Sequence, residues 1–168
     1  MTENNHIINI ISDKYTQTCI AFKNVIENAV SNTLSFEKVN ISCTVNINIS
    51  DDKEIREYNQ KYRGIDKATD VLSFPMQVFN EAGWDNIDGP EPDKDTGELP
   101  LGDIIISMET VKRQAVEYNN KEEYEAAYLL IHSTLHLLGY DHDNAEKEKI
   151  MHKKGKAIMT EMGFTDND

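Results

Sequence analysis

Cysteine is nearly absent: Cys19 and Cys43 are the only two, and no C-x-x-C pair occurs. Two unpatterned cysteines read as reduced core residues rather than as a disulfide, which excludes a disulfide-stapled scaffold and a cysteine zinc site. Long apolar runs are missing as well, none approaching the roughly 20 residues of a bilayer span. The opening residues, Met1-Thr2-Glu3-Asn4-Asn5-His6, lack the basic region of a secretory signal, so a cytoplasmic protein with no membrane partner is expected. Basic residues are scarce: 17 Lys and Arg stand against 30 Asp and Glu, for a net charge of −13. A chain this acidic repels nucleic acid at long range, so charge alone argues against RNA or DNA as a partner. The deficit is uneven. Seven acids (Glu81, Asp85, Asp88, Glu91, Asp93, Asp95 and Glu98) face one base, Lys94, and the rest of the chain is free to present a local basic surface.

What is present reads as one domain over residues 1–168, with an ordinary 39% hydrophobic and 28% charged content. The segment from His6 to Ile11 reads as a short strand. Ser12 is the expected cap of a helix to about Thr33, with Cys19, Phe22, Ile26, Ala29 and Val30 inward. Val39 to Ile49 alternates as a half-buried strand does. Ser50-Asp51-Asp52 opens a second helix that ends at Arg63-Gly64. Thr69 to Phe74 is a third strand closed by Pro75. The acidic, proline-bearing stretch to Pro100 reads as a solvated excursion between two paired strands, and Leu101 to Ser107 is the fourth strand. Ser107 caps a helix to about Asn119, with Met108, Val111, Ala115 and Val116 inward. Asn120 and Glu123 form an apparent capping box for a helix that is apolar over much of its circumference. Asn144 or Asp143 caps a last helix, Ala145 to about Met162, with Ile150, Met151, Ile158 and Met159 on its apolar side. The expectation is an α+β fold: a small, mostly four-stranded sheet packed with about five helices.

The densest chemistry lies in His132-Ser133-Thr134-Leu135-His136-Leu137-Leu138-Gly139-Tyr140-Asp141-His142. His132 and His136 stand one helical turn apart and share a face. Gly139 falls where that helix should end and reverse, which brings His142 back toward the pair. Three neutral nitrogens meeting at a point with a fourth position open are a catalytic zinc arrangement, and one Zn2+ is the expected cofactor. His6 and His152 read as surface residues. Zinc peptidases place a Glu general base directly after the first histidine of a similar run; here that residue is Ser133. Peptide hydrolysis thus lacks its base, whereas zinc by itself lowers the pKa of bound water to about 7. Arg63 is the best candidate for bidentate recognition of phosphate, although an arginine closing a helix also complements its dipole.

Three segments together resemble one family. HSTLHLLGYDH resembles the signature of the YbeY family of metal-dependent endoribonucleases, the rRNA maturation factors. Tyr62-Arg63-Gly64 through Thr69-Asp70-Val71-Leu72-Ser73-Phe74-Pro75, and Leu101-Gly102-Asp103-Ile104-Ile105-Ile106-Ser107, match it too, so that the resemblance spans about 41–164. It implies one α+β hydrolase domain with a zincin-like metal-binding helix, zinc on His132, His136 and His142, and a catalytic role for Arg63. It also implies cleavage of single-stranded RNA, in small-subunit rRNA maturation and ribosome quality control, with rRNA and the ribosome or its small subunit as partners and no DNA. Ser133 departs from the family's usual glycine, with little effect expected, and Gly155-Lys156-Ala157 stand where acids are common. Two other readings stay open: a zinc peptidase or amidase drawing a base from Asp141 or Asp143, and a non-catalytic ribosome-associated module in which zinc only holds the fold.

Overall fold

In the computed structural model, which describes residues 4–165, alternation along one strand sets the architecture. That strand, β2 (Cys43–Ser50), buries Cys43, Val45, Ile47 and Ile49 completely or nearly so and leaves Thr44, Asn46 and Asn48 half-buried on its other face. It sits inside a sheet with β1 (Ile7–Ile11), β4 (Leu99–Ser107) and β3 (Val71–Pro75), in the order β1-β2-β4-β3. β1, β2 and β4 run parallel, and β3 pairs antiparallel with β4 as the outer strand. Parallel neighbours need crossovers. The first is α1 (Thr16–Phe36), between β1 and β2; α2 (Asp52–Arg63) follows β2, and α3 (Met108–Glu117), α4 (Glu122–Leu137) and α5 (Ala145–Glu161) close the chain.

The two faces of the sheet are covered unequally. Against one lie α1, α4 and α5, forming the main core around Ile26, Leu34, Ile47, Leu101, Ile104, Leu130, Ile131, Leu135 and Ile158. The other carries only the small cluster of Ile55, Leu72 and Ile105, with Tyr58, Ala68 and Phe74 beside it. Helix α4 runs through the main core, and eleven of its sixteen residues are buried, as its nearly all-round apolar sequence requires. The result is the α+β domain expected, with four strands and five α-helices among the described residues.

Several local expectations are corrected. Asn120 does not cap α4: Lys121 takes the cap position without a side-chain bond. Asn119 has φ 55° and the Asn120 N–H donates to the Ala115 carbonyl, so this pair terminates α3, and the Asn120 side chain instead donates to buried Glu125 at 2.6 Å. Ser12 Oγ accepts from Tyr15 N at 2.7 Å in a turn ahead of α1, which starts only at Thr16. Val116 is 85% exposed and Ile150 42%, because each lies about 100° around its helix from a buried neighbour, Ala115 or Met151, and the buried stripe is narrow. His6 is half-buried, its Nδ1 accepting from the Cys43 amide at 3.2 Å. Ser107 and Asn144 do cap their helices, accepting from Thr110 N and Lys147 N.

The acidic excursion joins two antiparallel strands as expected, but its first half is anchored. A 3-10 turn at Trp84–Asn86 buries Trp84, whose indole N–H donates to Asn40 Oδ1 at 3.0 Å, and Gly83 N donates to the Leu138 carbonyl at the end of α4. Residues 91–97 are exposed. Phe79 packs against Gly139, where an added Cβ would stand 2.8 Å from the Phe79 side chain while φ is +90°. Gly139→Ala therefore combines left-handed strain of about 1–2 kcal/mol with a steric clash, and is expected to lower thermal unfolding by several degrees in calorimetry.

Candidate metal centre and its cleft

At the C-terminal end of α4 the backbone does what Gly139 permits. The Gly139 N–H bonds the His136 carbonyl and the Tyr140 N–H bonds the Leu135 carbonyl, the paired reversal that a left-handed residue allows after a helix. The reversal carries Tyr140 back over the last turn, and its carbonyl accepts from His136 Nδ1 at 2.8 Å. With that nitrogen carrying the proton, Nε2 presents its lone pair to the centre. Tyr140 is itself held: its hydroxyl donates to Glu37 Oε2 at 2.9 Å, and Lys154 Nζ lies 2.9 Å from Glu37 Oε1. The turn is thereby tied to α1 and α5.

Two residues further, His142 reaches the same point from the loop. Asp141 Oδ1 accepts from the His142 amide at 2.7 Å and lies 3.3 Å from its Nδ1. That carboxylate, held below its usual range chiefly by the backbone bond, orients the ring so that Nε2 is free. His132 Nε2 and His136 Nε2 are 3.0 Å apart, and one ring nitrogen from each of the three histidines falls within 4.8 Å of the others. Tetrahedral bonds of about 2.0–2.1 Å to a zinc ion place such nitrogens roughly 3.4 Å apart, so the set fits a metal ion. Burial pushes His132 down to about 4, assisted by the other two imidazoles, and burial also lowers His136. Both are neutral near pH 7, the form that ligates.

The histidines open onto a cleft of about 690 Å³ between α4 and the free edge of β3. Ser107 N donates to the Asp70 carbonyl and Met76 N to the Leu101 carbonyl, so even positions of β3 bond β4 and the odd ones turn their backbone groups outward. Pro75 suits an outer strand because it has no N–H to leave unpaired. Val71, Ser73 and Pro75 thus form one wall, and Arg63, the last residue of α2, stands on it. Gly64, left-handed at φ 70°, ends the helix there. Arg63 is exposed and makes no hydrogen bond or ion pair among the described residues, whereas nearby Arg56 is gripped by Asp66 at 2.7 and 3.1 Å. Its charge is felt at the metal site, adding to the lowering of His136.

Of the residues singled out from sequence, the cleft collects Arg63, His132, His136, His142, Asp141 and Ser133. Asp143 is not among them; it pairs with Lys147 at 3.1 Å. The edge residues Thr69, Asp70 and Ser73 and the half-buried Tyr128 were not singled out individually, since only pairing with β4 reveals which side of β3 is open. Ser133, expected to have little effect, is fully buried, and its hydroxyl has no hydrogen-bond partner among the described residues. Removing an unsatisfied buried hydroxyl recovers its desolvation cost, so Ser133→Ala should raise stability by about 1 kcal/mol in denaturant titration. A second expectation concerns pH. His132 is favoured neutral in the fold, so its contribution is complete above the unfolded value of 6.5 and is lost as pH falls toward about 4. Chelated protein should lose a few kcal/mol of unfolding free energy across that window, and His132→Gln should flatten the loss.

Comparison with known proteins agrees with this geometry. The family model for "Endoribonuclease YbeY" matches residues 8–163. Proteins named endoribonuclease YbeY are 45% identical over 145 residues in Clostridium botulinum strain Eklund 17B (83% of this chain, 87% of that protein) and 41% identical over 145 residues in Thermoanaerobacter sp. strain X514 (86% and 90%). The one from Caldanaerobacter subterraneus is 45% identical over 140 residues, covering 83% and 87%. The solution structure of TM1509 from Thermotoga maritima aligns over 95% of this chain and 97% of its own, at 26% identity and a TM-score of 0.50. A family match over residues 8–163, carried by a chain whose three histidines converge beside an open strand edge, leaves one conclusion: the chain belongs to the endoribonuclease YbeY family, and with it to the nuclease hydrolases.

Proposed function

We propose that this chain is a zinc-dependent endoribonuclease that cuts single-stranded RNA in small-subunit rRNA maturation and ribosome quality control, in the cytoplasm. The observation that carries the reading is the meeting, in one cleft, of three converging imidazoles with a guanidinium that is unengaged among the described residues. A zinc ion held by His132, His136 and His142 would supply Lewis acidity toward a phosphoryl oxygen or water. Everything else is done by the chain. The Tyr140 carbonyl and the Asp141 carboxylate hold His136 and His142 in the ligating tautomer. Arg63 is the catalytic residue: its fork of donors grips the scissile phosphate and neutralises charge that grows on the phosphoryl oxygens.

The competing readings are weaker on physical grounds. A peptidase needs a base, yet Ser133 carries none, Asp141 is engaged by His142 and Asp143 by Lys147. A purely structural metal is unnecessary, because the aliphatic core around α4 closes without the histidines. Among the described residues no helix is long and apolar enough to cross a membrane.

Arg63→Ala should reduce cleavage of single-stranded RNA by about 10²–10³-fold while bound zinc stays at one per chain by metal analysis; wild-type turnover in that variant would overturn the assignment. Chelation should abolish cleavage with the far-ultraviolet dichroism retained.

A further inference from the structure

β3 has a second side. Its odd residues face the cleft, but Phe74 points the other way, into a hollow of about 370 Å³ on the thinly covered face of the sheet, together with Ile11, Asn46, Tyr58, Tyr62 and Asp103. Tyr62 and Arg63 are consecutive at the end of α2, and one projects into each site. From this placement, and resting on the nuclease reading above, we infer that the hollow is a base-binding subsite: an unpaired base of the same RNA strand stacks on Tyr62 while a neighbouring phosphate lies at Arg63.

The side chains suit that occupant. Tyr62 is 56% exposed although it is a large aromatic. Its ring lies nearly parallel to Tyr58, centroids 6.0 Å apart, and meets Phe74 edge-on at 5.4 Å, so it is pre-set rather than free to swing. Lys61 Nζ sits 5.0 Å from its centroid, a cation beside the ring where a backbone phosphate would pass. The lining mixes apolar Ile11, Ile104 and Ile105 with a polar row, in which Asn9 donates to Asn46 at 2.9 Å and Asn46 donates to Asp103 at 2.8 Å. This chain of amides and a carboxylate runs across three strands, from β1 through β2 to β4. Aromatic faces beside a row of amide and carboxylate groups match a flat ring with a hydrogen-bonding edge. Continuity with the catalytic cleft selects RNA over a protein partner, since the two hollows share β3 as their dividing wall.

The subsite also gives single-strand preference a physical cause. A base paired in a duplex has its edge occupied and its faces stacked, so it enters the hollow only after unpairing.

The test uses the zinc-loaded full chain, with Tyr62→Leu and Tyr62→Phe as variants. Leucine keeps apolar contact with Tyr58 and Phe74 but removes the π face; phenylalanine keeps it. Fluorescence anisotropy with a short labelled single-stranded RNA should show about tenfold weaker binding for Tyr62→Leu and near wild-type binding for Tyr62→Phe, with melting temperatures of all three alike. Photocrosslinking with 5-iodouridine RNA should label Tyr62 or its neighbours. If Tyr62→Leu binds RNA as wild type does, the subsite is wrong and the nuclease reading stands. If the variant keeps RNA affinity but loses association with small ribosomal subunits, the surface seats a protein and the inference also falls. If wild type neither binds nor cuts single-stranded RNA, the nuclease reading itself fails and the subsite with it.

Discussion

The hydrogen bond from His136 Nδ1 to the Tyr140 carbonyl is where backbone geometry becomes chemistry. It exists only because Gly139 reverses the chain at φ +90°, and it decides which nitrogen of His136 faces the centre. The same reversal delivers Asp141 and His142 to their places. The Tyr140 hydroxyl, bound to Glu37 and through it to Lys154, keeps the turn from drifting. A glycine, a carbonyl and a distant ion pair thus hold a three-histidine set together ahead of any ligand, so little ordering remains to be done when a metal binds.

Opposite this turn, the outer strand β3 does two jobs. Its free edge makes a wall of the cleft, and its alternate side chains face the two sides of the sheet. Because the strand period is two, Ser73 and Phe74 cannot share a side, and the helix that ends beside them divides its last residues in the same way. Arg63 is an exposed cation lining the cleft in a chain of net charge −13. The acidic residues concentrate in the β3–β4 excursion, whose first half is pinned beside α4 by Trp84 and Gly83 while residues 91–97 stay in solvent. Local cationic geometry, not the field of the whole molecule, has to supply the attraction for RNA.

Much of the fold was legible because its signals are local. Alternation in β2 identified the strand and its buried side, and serine and asparagine before α3 and α5 identified two helix starts. Failures occurred where one residue satisfies two local rules. Asn120 fits a cap for α4, yet the end of α3 uses its backbone first. Val116 and Ile150 are apolar and periodic, but how wide a helix stripe is buried depends on what packs there. His6 was read as a surface residue because its partner, the Cys43 amide, is thirty-seven positions away.

By itself the sequence determined the spacing of His132, His136 and His142, the helix stop at Gly139 and the missing base at Ser133, since all of these follow from helical geometry over eleven residues. Tertiary structure alone decided that Arg63, sixty-nine positions before His132, stands on the same cleft with no ion pair among the described residues. It also decided that Ser133 buries a hydroxyl with no hydrogen-bond partner among the described residues. Those are matters of which long-range neighbours a side chain meets, and for Arg63 the pairing of β3 with β4 leaves open the strand edge that forms the wall beside it.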